Sequence, residues 1–419
     1  MKIIARSGKN KGIKTKKRKE VSTRSQDLWK YAYIAFCVIL ICLAAVPLYF
    51  GMSDPHSGWD YRVFLGAVQS VNHGQNPYIV ANVNQYTGDN LPFTYPPHTL
   101  FFFWLLQFIF TFQNIWVYYA FLIAILIVSS YVLLTLDQDP HYLFFITLLF
   151  SGFICLFWNF ITGNKDIIFF FLFSIIMYLL IKEKFWQSAV VMGLNASISL
   201  ITIPFIAMYF VVKRSLADRL KYILISMGVL AAIFLGSFFL NPPFFISYLG
   251  TIGGSSSPLY DTAGYNTPTP FSMFGDLLNR ANIGGLLPMI VVSLAYICII
   301  GGAAWYCIRK NQENDLKIYS ISLFSLFMIL PRIKPYDFII LVVPLYFLFK
   351  DYSYRMKMLI FAAISLLPLF VWYYPWIDPL GVMPLPYIID TYPQTVSLFL
   401  ILAIMLIRER NSCVHSHES

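Results

Sequence analysis

The chain has 419 residues, 58% of them hydrophobic and only 12% charged. Soluble domains carry about 25% charged residues, so a water-soluble fold is excluded. The apolar runs are continuous rather than alternating, which excludes a transmembrane barrel. The formal charge of +10 does not mark a nucleic-acid partner, because it gathers ahead of the first apolar run, at Lys2, Arg6, Lys9, Lys11, Lys14, Lys16, Lys17, Arg18, Lys19, Arg24 and Lys30. By the positive-inside rule residues 1–30 form a basic cytoplasmic tail beside anionic membrane lipids.

The run Tyr31 to Phe50 has no small-residue cleavage site after it and reads as a span rather than a signal peptide. Further apolar runs fall near 97–112, 116–135, 142–160, 167–182, 187–212, 222–240, 286–308, 318–331, 337–349, 358–374 and 392–407. Basic clusters at Lys182/Lys184, Lys213/Arg214/Arg219/Lys221, Arg309/Lys310, Lys350/Arg355/Lys357 and Arg408/Arg410 belong on the cytoplasmic side. Two irregularities follow. The run 187–212 must enter and return as two short helices broken near Pro204, and 97–112 lies at the interface or re-enters without crossing. The expectation is an all-α polytopic helical membrane protein with about twelve transmembrane helices. Residues 31–407 make a single membrane domain, and 408–419 a second cytoplasmic tail. A rival topology in which both runs cross once also predicts twelve spans, but it puts Lys182 and Lys184 outside; charge placement favours the first.

The predicted external loops are 51–115, Thr162–Asp166, Asn241–Gly285, Arg332–Tyr336 and Pro375–Thr391. The first gathers Asp54, His56, Asp60, Arg62, His73 and Asp89 in an otherwise hydrocarbon chain. From Asp60 apolar residues recur at helical spacing, predicting an amphipathic helix along the outer interface. Asp60 stands at its start, as an N-cap or as a general base for an acceptor hydroxyl, roles that are compatible. His56, Arg62 and the aromatic rings of Tyr61 and Tyr95 are candidate substrate contacts nearby. Asp54, His56 and Asp60 are weak as a metal set, and no metal or cofactor is expected.

Arg332-Ile-Lys334-Pro-Tyr336-Asp337 places two cations on the side where the positive-inside bias disfavours them. A phosphate ligand explains them, as does pairing with Asp337 or snorkelling to headgroups. Gly163-Asn164-Lys165-Asp166 is a third polar turn at a membrane boundary, and Lys165 and Asp166 are candidates from it. The loop 241–285 reads as an irregular lid or substrate surface, with Asn266 its candidate contact. The cysteines lie in apolar runs or the tail and read as packing residues, with no disulfide framework or zinc site.

Several of these short motifs occur in the order found in GT-C membrane glycosyltransferases. Trp59-Asp60-Tyr61, then Gly74-Gln75-Asn76-Pro77-Tyr78, Tyr95-Pro96-Pro97 and Gly163-Asn164-Lys165-Asp166 resemble those of the polyprenol-phosphate-mannose-dependent α-mannosyltransferases. The chain departs from that pattern where Asn164 stands for glutamine and Asp166 for asparagine. Near its mid-helix proline, Ile201 and Thr202 stand where a lysine is usual. The resemblance implies a sugar carried on polyprenyl phosphate, with a glycolipid or glycan acceptor. Transfer would invert the anomeric centre at the extracytoplasmic face of the cell membrane, with Asp60 as base and Arg332 and Lys334 on the leaving phosphate. A transporter or flippase of a lipid-linked sugar is the main alternative, but no internal repeat supports it and the ionisable residues cluster at boundaries. An O-antigen ligase or polymerase would place its basic residues in one large late loop, whereas here the early loop is richest.

Overall fold

A computed structural model describes residues 9–54, 56–111, 114–253, 267–377 and 385–416, and among them every regular element is helical. The first, α1 (Lys9–Ser53), is followed by α2 (Trp59–Asn72), α3 (Val80–Thr87) and α4 (Pro97–Leu106). Then come α5 (Ile115–Leu134), α6 (Tyr142–Leu149), α7 (Leu156–Thr162), α8 (Asp166–Ile181) and α9 (Phe185–Ile198). A 3-10 segment, Leu200–Val211, separates α9 from α10 (Leu216–Leu240), α11 (Pro242–Ile252), α12 (Pro270–Arg280), α13 (Leu286–Lys310) and α14 (Asp315–Met328). A second 3-10 segment, Pro335–Leu341, leads into α15 (Val342–Phe349). A helix with a π turn at Ala362–Leu366 links α16 (Tyr354–Phe361) to α17 (Leu367–Ile377), before α18 (Tyr387–Thr391) and α19 (Pro393–Ser416).

Five helical stretches among the described residues are long and apolar enough to cross a membrane: Asp27–Ser53, Ile115–Leu134, Leu216–Leu240, Leu286–Lys310 and Tyr354–Tyr374. The expectation of about twelve crossings goes further than these five, because other apolar runs are broken. The run 142–160 splits into α6 and α7, with Cys155 at a left-handed φ of 53° between them. The run 187–212 breaks at Ser199, whose extended backbone ends α9 and starts the 3-10 segment that contains Pro204. Pro204 itself lies inside the 3-10 segment, past the break. Helix α4 has ten residues, about 15 Å of helix against roughly 30 Å of hydrocarbon, so it is too short to cross as a helix.

The core sits where α8 packs on α5 and α9, and where α14 packs on α15. Every residue of Val342–Phe349 is buried, as expected of a helix apolar on all faces. By contrast α13 and α10 bury little of their length and present apolar side chains outward, as lipid-facing helices do. Helix α4 is tied down by His98, whose ring nitrogens meet Ser237 Oγ and the Ser197 carbonyl, both at 2.9 Å.

Of the segment 241–285, expected as an irregular lid or substrate surface, residues 254–266 lie outside the described residues. Its two flanks are helical, α11 and α12, each opened by a capping side chain and a proline in the first turn. Asn241 Oδ1 accepts from Phe244 N at 3.1 Å, and Thr269 Oγ1 accepts from Ser272 N at 3.0 Å. Cap followed by proline is a helix-start signal readable in Asn241-Pro242 and Thr269-Pro270.

Candidate active site

Helix α2 is docked end-on against the turn between α7 and α8. The N–H of Gly58 donates to the Ile161 carbonyl at 2.6 Å. Gly163 has a φ of 67°, and a Cβ there would come within 2.8 Å of the Tyr61 Cβ, so only glycine permits this approach. Gly58 is the residue that caps α2, also left-handed at φ 77°. Asp60 therefore is not the N-cap; it lies in the first helical turn, where a carboxylate faces the positive end of the helix dipole.

Its carboxylate is held from the neighbouring turn. Asn164, fully buried, donates from Nδ2 to Asp60 Oδ2 at 2.7 Å, and its own Oδ1 accepts from Asp166 N at 3.1 Å. One amide thus joins Asp60 to the start of α8. The next residue, Lys165, is buried with its ammonium 3.4 Å from Asp166 Oδ1, 4.0 Å from the centre of the Tyr95 ring and 4.3 Å from that of Phe169. A lysine withdrawn from water keeps favourable surroundings here through one carboxylate and two aromatic faces.

A cavity of about 380 Å³ opens beside this cluster. The polar part of its wall includes Tyr95, Lys165, Asp166, Arg332, Lys334 and Asp337; Leu200, Ile201, Tyr248 and Ile252 supply much of the rest. The loop 332–337 is fixed from both sides: Lys334 N donates to Asp337 Oδ2 at 2.6 Å, and Asn159 Nδ2 donates to the Tyr336 carbonyl at 3.1 Å. Asp337 and Lys334 are paired through the backbone, while Arg332 and the Lys334 side chain line the cavity. Asp60 stands behind the lining, within electrostatic reach of Lys165, Asp166 and Tyr336.

Burial pushes the Asp60 carboxyl up to about 6; the hydrogen bond from Asn164 opposes the rise, the Asp166 charge adds to it, and the Lys165 charge subtracts. A carboxyl in that range can accept a proton near neutral pH. Burial also lowers Lys165, against the pull of Asp166, Asp337 and Asp60.

The remaining candidates lie outside the cavity lining. Arg62 makes a two-pronged pair with Asp89, at 2.6 and 3.0 Å, and donates to the carbonyls of Ser57 and His56 at 2.6 and 3.0 Å. It is the clasp of the loop before α2. His56 is exposed, and its backbone N–H is held by Asp54 Oδ1 at 2.8 Å. Tyr61 is buried, stacked on Tyr118 with ring centres 4.6 Å apart, and donates to the Thr111 carbonyl at 3.0 Å, which makes it a packing residue. Asn266 lies outside the described residues. Among the described residues no group of three or more His, Cys, Asp or Glu is disposed to hold a metal. Asn164 was not among the expected site residues: an Asn two residues before a helix-opening Asp signals the Asx turn to Asp166, but not the contact with Asp60.

A bundle of apolar helices with a charged, half-enclosed cavity at one end is the architecture of a membrane protein that handles a polar or amphiphilic substrate, whether enzyme or carrier. The family model of Glycosyltransferase family 87 matches residues 93–331, more than half of the chain. The chain belongs to this family, and is a membrane glycosyltransferase of the GT-C type. The matched region takes in Tyr95, Lys165 and Asp166; Asp60 precedes it and Arg332 follows directly after its last residue. No curated protein and no solved structure matches the chain.

Proposed function

We propose that the protein moves a sugar, mannose or another hexose or pentose, from a polyprenyl-phosphate donor to a glycolipid or glycan acceptor at the extracytoplasmic face. The observation that carries this reading is a single cavity walled by Lys165 and Asp166 on one side and Arg332, Lys334 and Asp337 on the other. Cations at its rim suit the phosphodiester of a lipid-linked sugar, and its apolar wall of Leu200, Ile201 and Ile252 suits the adjoining isoprenoid.

In the proposed reaction the Asp60 carboxylate takes the proton of an acceptor hydroxyl. The freed oxygen attacks the anomeric carbon from the face opposite the phosphate, and the bond from that carbon to the phosphate oxygen breaks with inversion. Polyprenyl phosphate leaves with one more negative charge than it had in the diester, and Arg332 and Lys334 stabilise that charge as it develops. In this reading loop 51–115, with Asp60, faces the extracytoplasmic side, and the basic tail stays in the cytoplasm.

The test is transfer from a radiolabelled polyprenyl-phosphate mannose by purified protein in detergent or nanodiscs. Asp60→Asn should reduce turnover about 10³-fold, within the range of a lost general base, while the protein keeps its fold. Turnover near that of the wild type in this variant would remove Asp60 from the mechanism.

A further inference from the structure

The turn Gly163-Asn164-Lys165-Asp166 reaches the base and the cavity at once. Lys165 and Asp166 line the cavity, while Asn164, one residue earlier, grips Asp60 from behind it. We infer that Asn164 is a positioning residue, whose amide N–H holds Asp60 Oδ2 in one rotamer and keeps the carboxylate ready as a proton acceptor. The inference rests on the assignment of Asp60 as the base, and it adds a residue with a separate, testable task.

The geometry favours this task over a merely local one. Asn164 is separated from Asp60 by 104 residues, so the bond is tertiary and exists only when α2 is docked. The docking is enforced independently by the Gly58 N–H on Ile161 and by the close contact that Gly163 permits. The amide is fully buried and oriented by both of its ends, since Oδ1 is occupied by the Asp166 N–H. With Oδ1 accepting, Nδ2 is left as the end that faces a carboxylate, and a donor fixed against an anion favours the ionised form.

Other charges around Asp60 do not supply this donor. Arg62, on the same helix, is turned to Asp89. Lys165 gives its ammonium to Asp166 and two rings, and acts on Asp60 only through space. Asp166 brings a second carboxyl, and Tyr95, Tyr118 and Tyr336 bring phenols, into the same electrostatic field; Asp337, whose carboxyl burial holds well above the usual range, lies beside Asp166. Of the contacts that draw the Asp60 carboxyl back down, the bond from Asn164 is the largest.

The discriminating variant is Asn164→Asp. It retains an oxygen for the Asp166 N–H, so the turn survives, but it removes the amide donor and sets a second carboxyl against Asp60. The direct readout is pH-difference infrared spectroscopy of the purified protein, with the Asp60→Asn variant identifying the band of the Asp60 carboxyl. This readout needs no substrate.

The Asp60 titration midpoint should rise by about one pH unit or more in Asn164→Asp and in Asn164→Ala, as expected for loss of a hydrogen bond to a charged group. With polyprenyl-phosphate mannose as donor, kcat should fall about tenfold or more at neutral pH, donor KM should stay within about twofold, and the acid limb of the pH profile should move up with the midpoint. An unmoved midpoint in Asn164→Asp overturns the inference, as does a loss of thermal stability with an unchanged pH profile. Should Asn164→Ala fail to fold, the Asn164→Asp result decides alone. Failure of the parent reading looks different: Asp60→Asn then retains transfer whatever Asn164 does to the titration.

Discussion

Two buried clusters of acid, cation and tyrosine lie at opposite ends of the buried segment Pro335–Phe349, and they are built to different standards. At the Lys350 end, Asp137 accepts from the Tyr346 hydroxyl at 2.5 Å and from Lys350 Nζ at 2.9 Å. Lys350 also meets Asp351 at 3.1 Å, and the Tyr346 oxygen accepts from His141 N at 3.1 Å. The bonds are short and the groups satisfy one another. At the Asp337 end the Lys165 ammonium stands 3.4 Å from Asp166 and lies against two rings, and the groups border a cavity. The first cluster joins the chain after α5 to the end of α15. The second borders a cavity whose wall includes Lys165, Asp166, Arg332, Lys334 and Asp337. A cluster whose groups satisfy one another suits stability, and one that borders a cavity suits binding.

Substitutions at the two ends should separate these purposes. The largest effect expected is that of Asp60→Asn, about 10³-fold in turnover. Its stability should move the other way. Folding raises the Asp60 carboxyl above the value of about 3.8 that it starts from, so the folded state binds that proton more tightly. The stability gained from this is complete at pH below about 4 and is lost as pH rises to about 6. At pH 7 the neutral asparagine avoids burying a charge, and the variant should melt at or above the wild-type temperature in a detergent-compatible thermal shift assay. A large fall in melting temperature would mean that Asp60 serves the fold instead.

Asp137→Ala should show the reverse. Removing it leaves Lys350 with only the half-exposed Asp351 and takes the acceptor from Tyr346, a loss of about 3 kcal/mol by analogy with other broken buried pairs. The fraction that folds should turn over at the wild-type rate, since that cluster lies at the other end of Pro335–Phe349 from Asp337 and the cavity. A specific loss of kcat in well-folded Asp137→Ala would erase the contrast between the two ends.

The difference between the clusters also explains what was legible in the sequence. Composition, apolar runs and the basic tail were enough for an all-helical membrane protein, because hydrocarbon imposes those patterns residue by residue. The amphipathic helix beginning near Asp60 and the break ahead of Pro204 were readable from spacing and from proline's missing N–H. The helices in 241–285 were missed because a polar loop pattern outweighed the two cap-and-proline starts. Pairings such as Asn164 with Asp60 and Arg62 with Asp89 were not legible: they depend on which segments dock, and neither partner signals the other along the chain. Arg62 and Tyr61 were chosen for their chemistry beside Asp60, but helical periodicity turns their side chains elsewhere.

A smaller effect is expected from Arg332→Ala. Arg332 is exposed at the cavity rim, so its loss should leave stability within about 0.5 kcal/mol of the wild type. It should raise the apparent KM for the lipid-linked donor by about tenfold, the scale of one lost charge-assisted contact of 1.4 kcal/mol. Steady-state kinetics with the donor varied would measure it, and an unchanged donor KM would take Arg332 out of the phosphate site.

The finest test is the shape of the wild-type pH profile. If transfer needs the Asp60 carboxylate, and its carboxyl titrates at about 6, then about nine-tenths of the enzyme is competent at pH 7 and about one quarter at pH 5.5. That is a fall of roughly fourfold in kcat/KM for the acceptor. The sign follows from burial: desolvation favours the neutral acid, so the limb lies above the range of an exposed aspartate. A base in open solvent would keep full activity through pH 5.5, and a flat profile there would mean that the proton acceptor is not the half-buried Asp60. The satisfied cluster around Asp137 contributes no limb to this profile, since its groups never meet the substrate, so the Asp137→Ala enzyme should trace the same curve as the wild type.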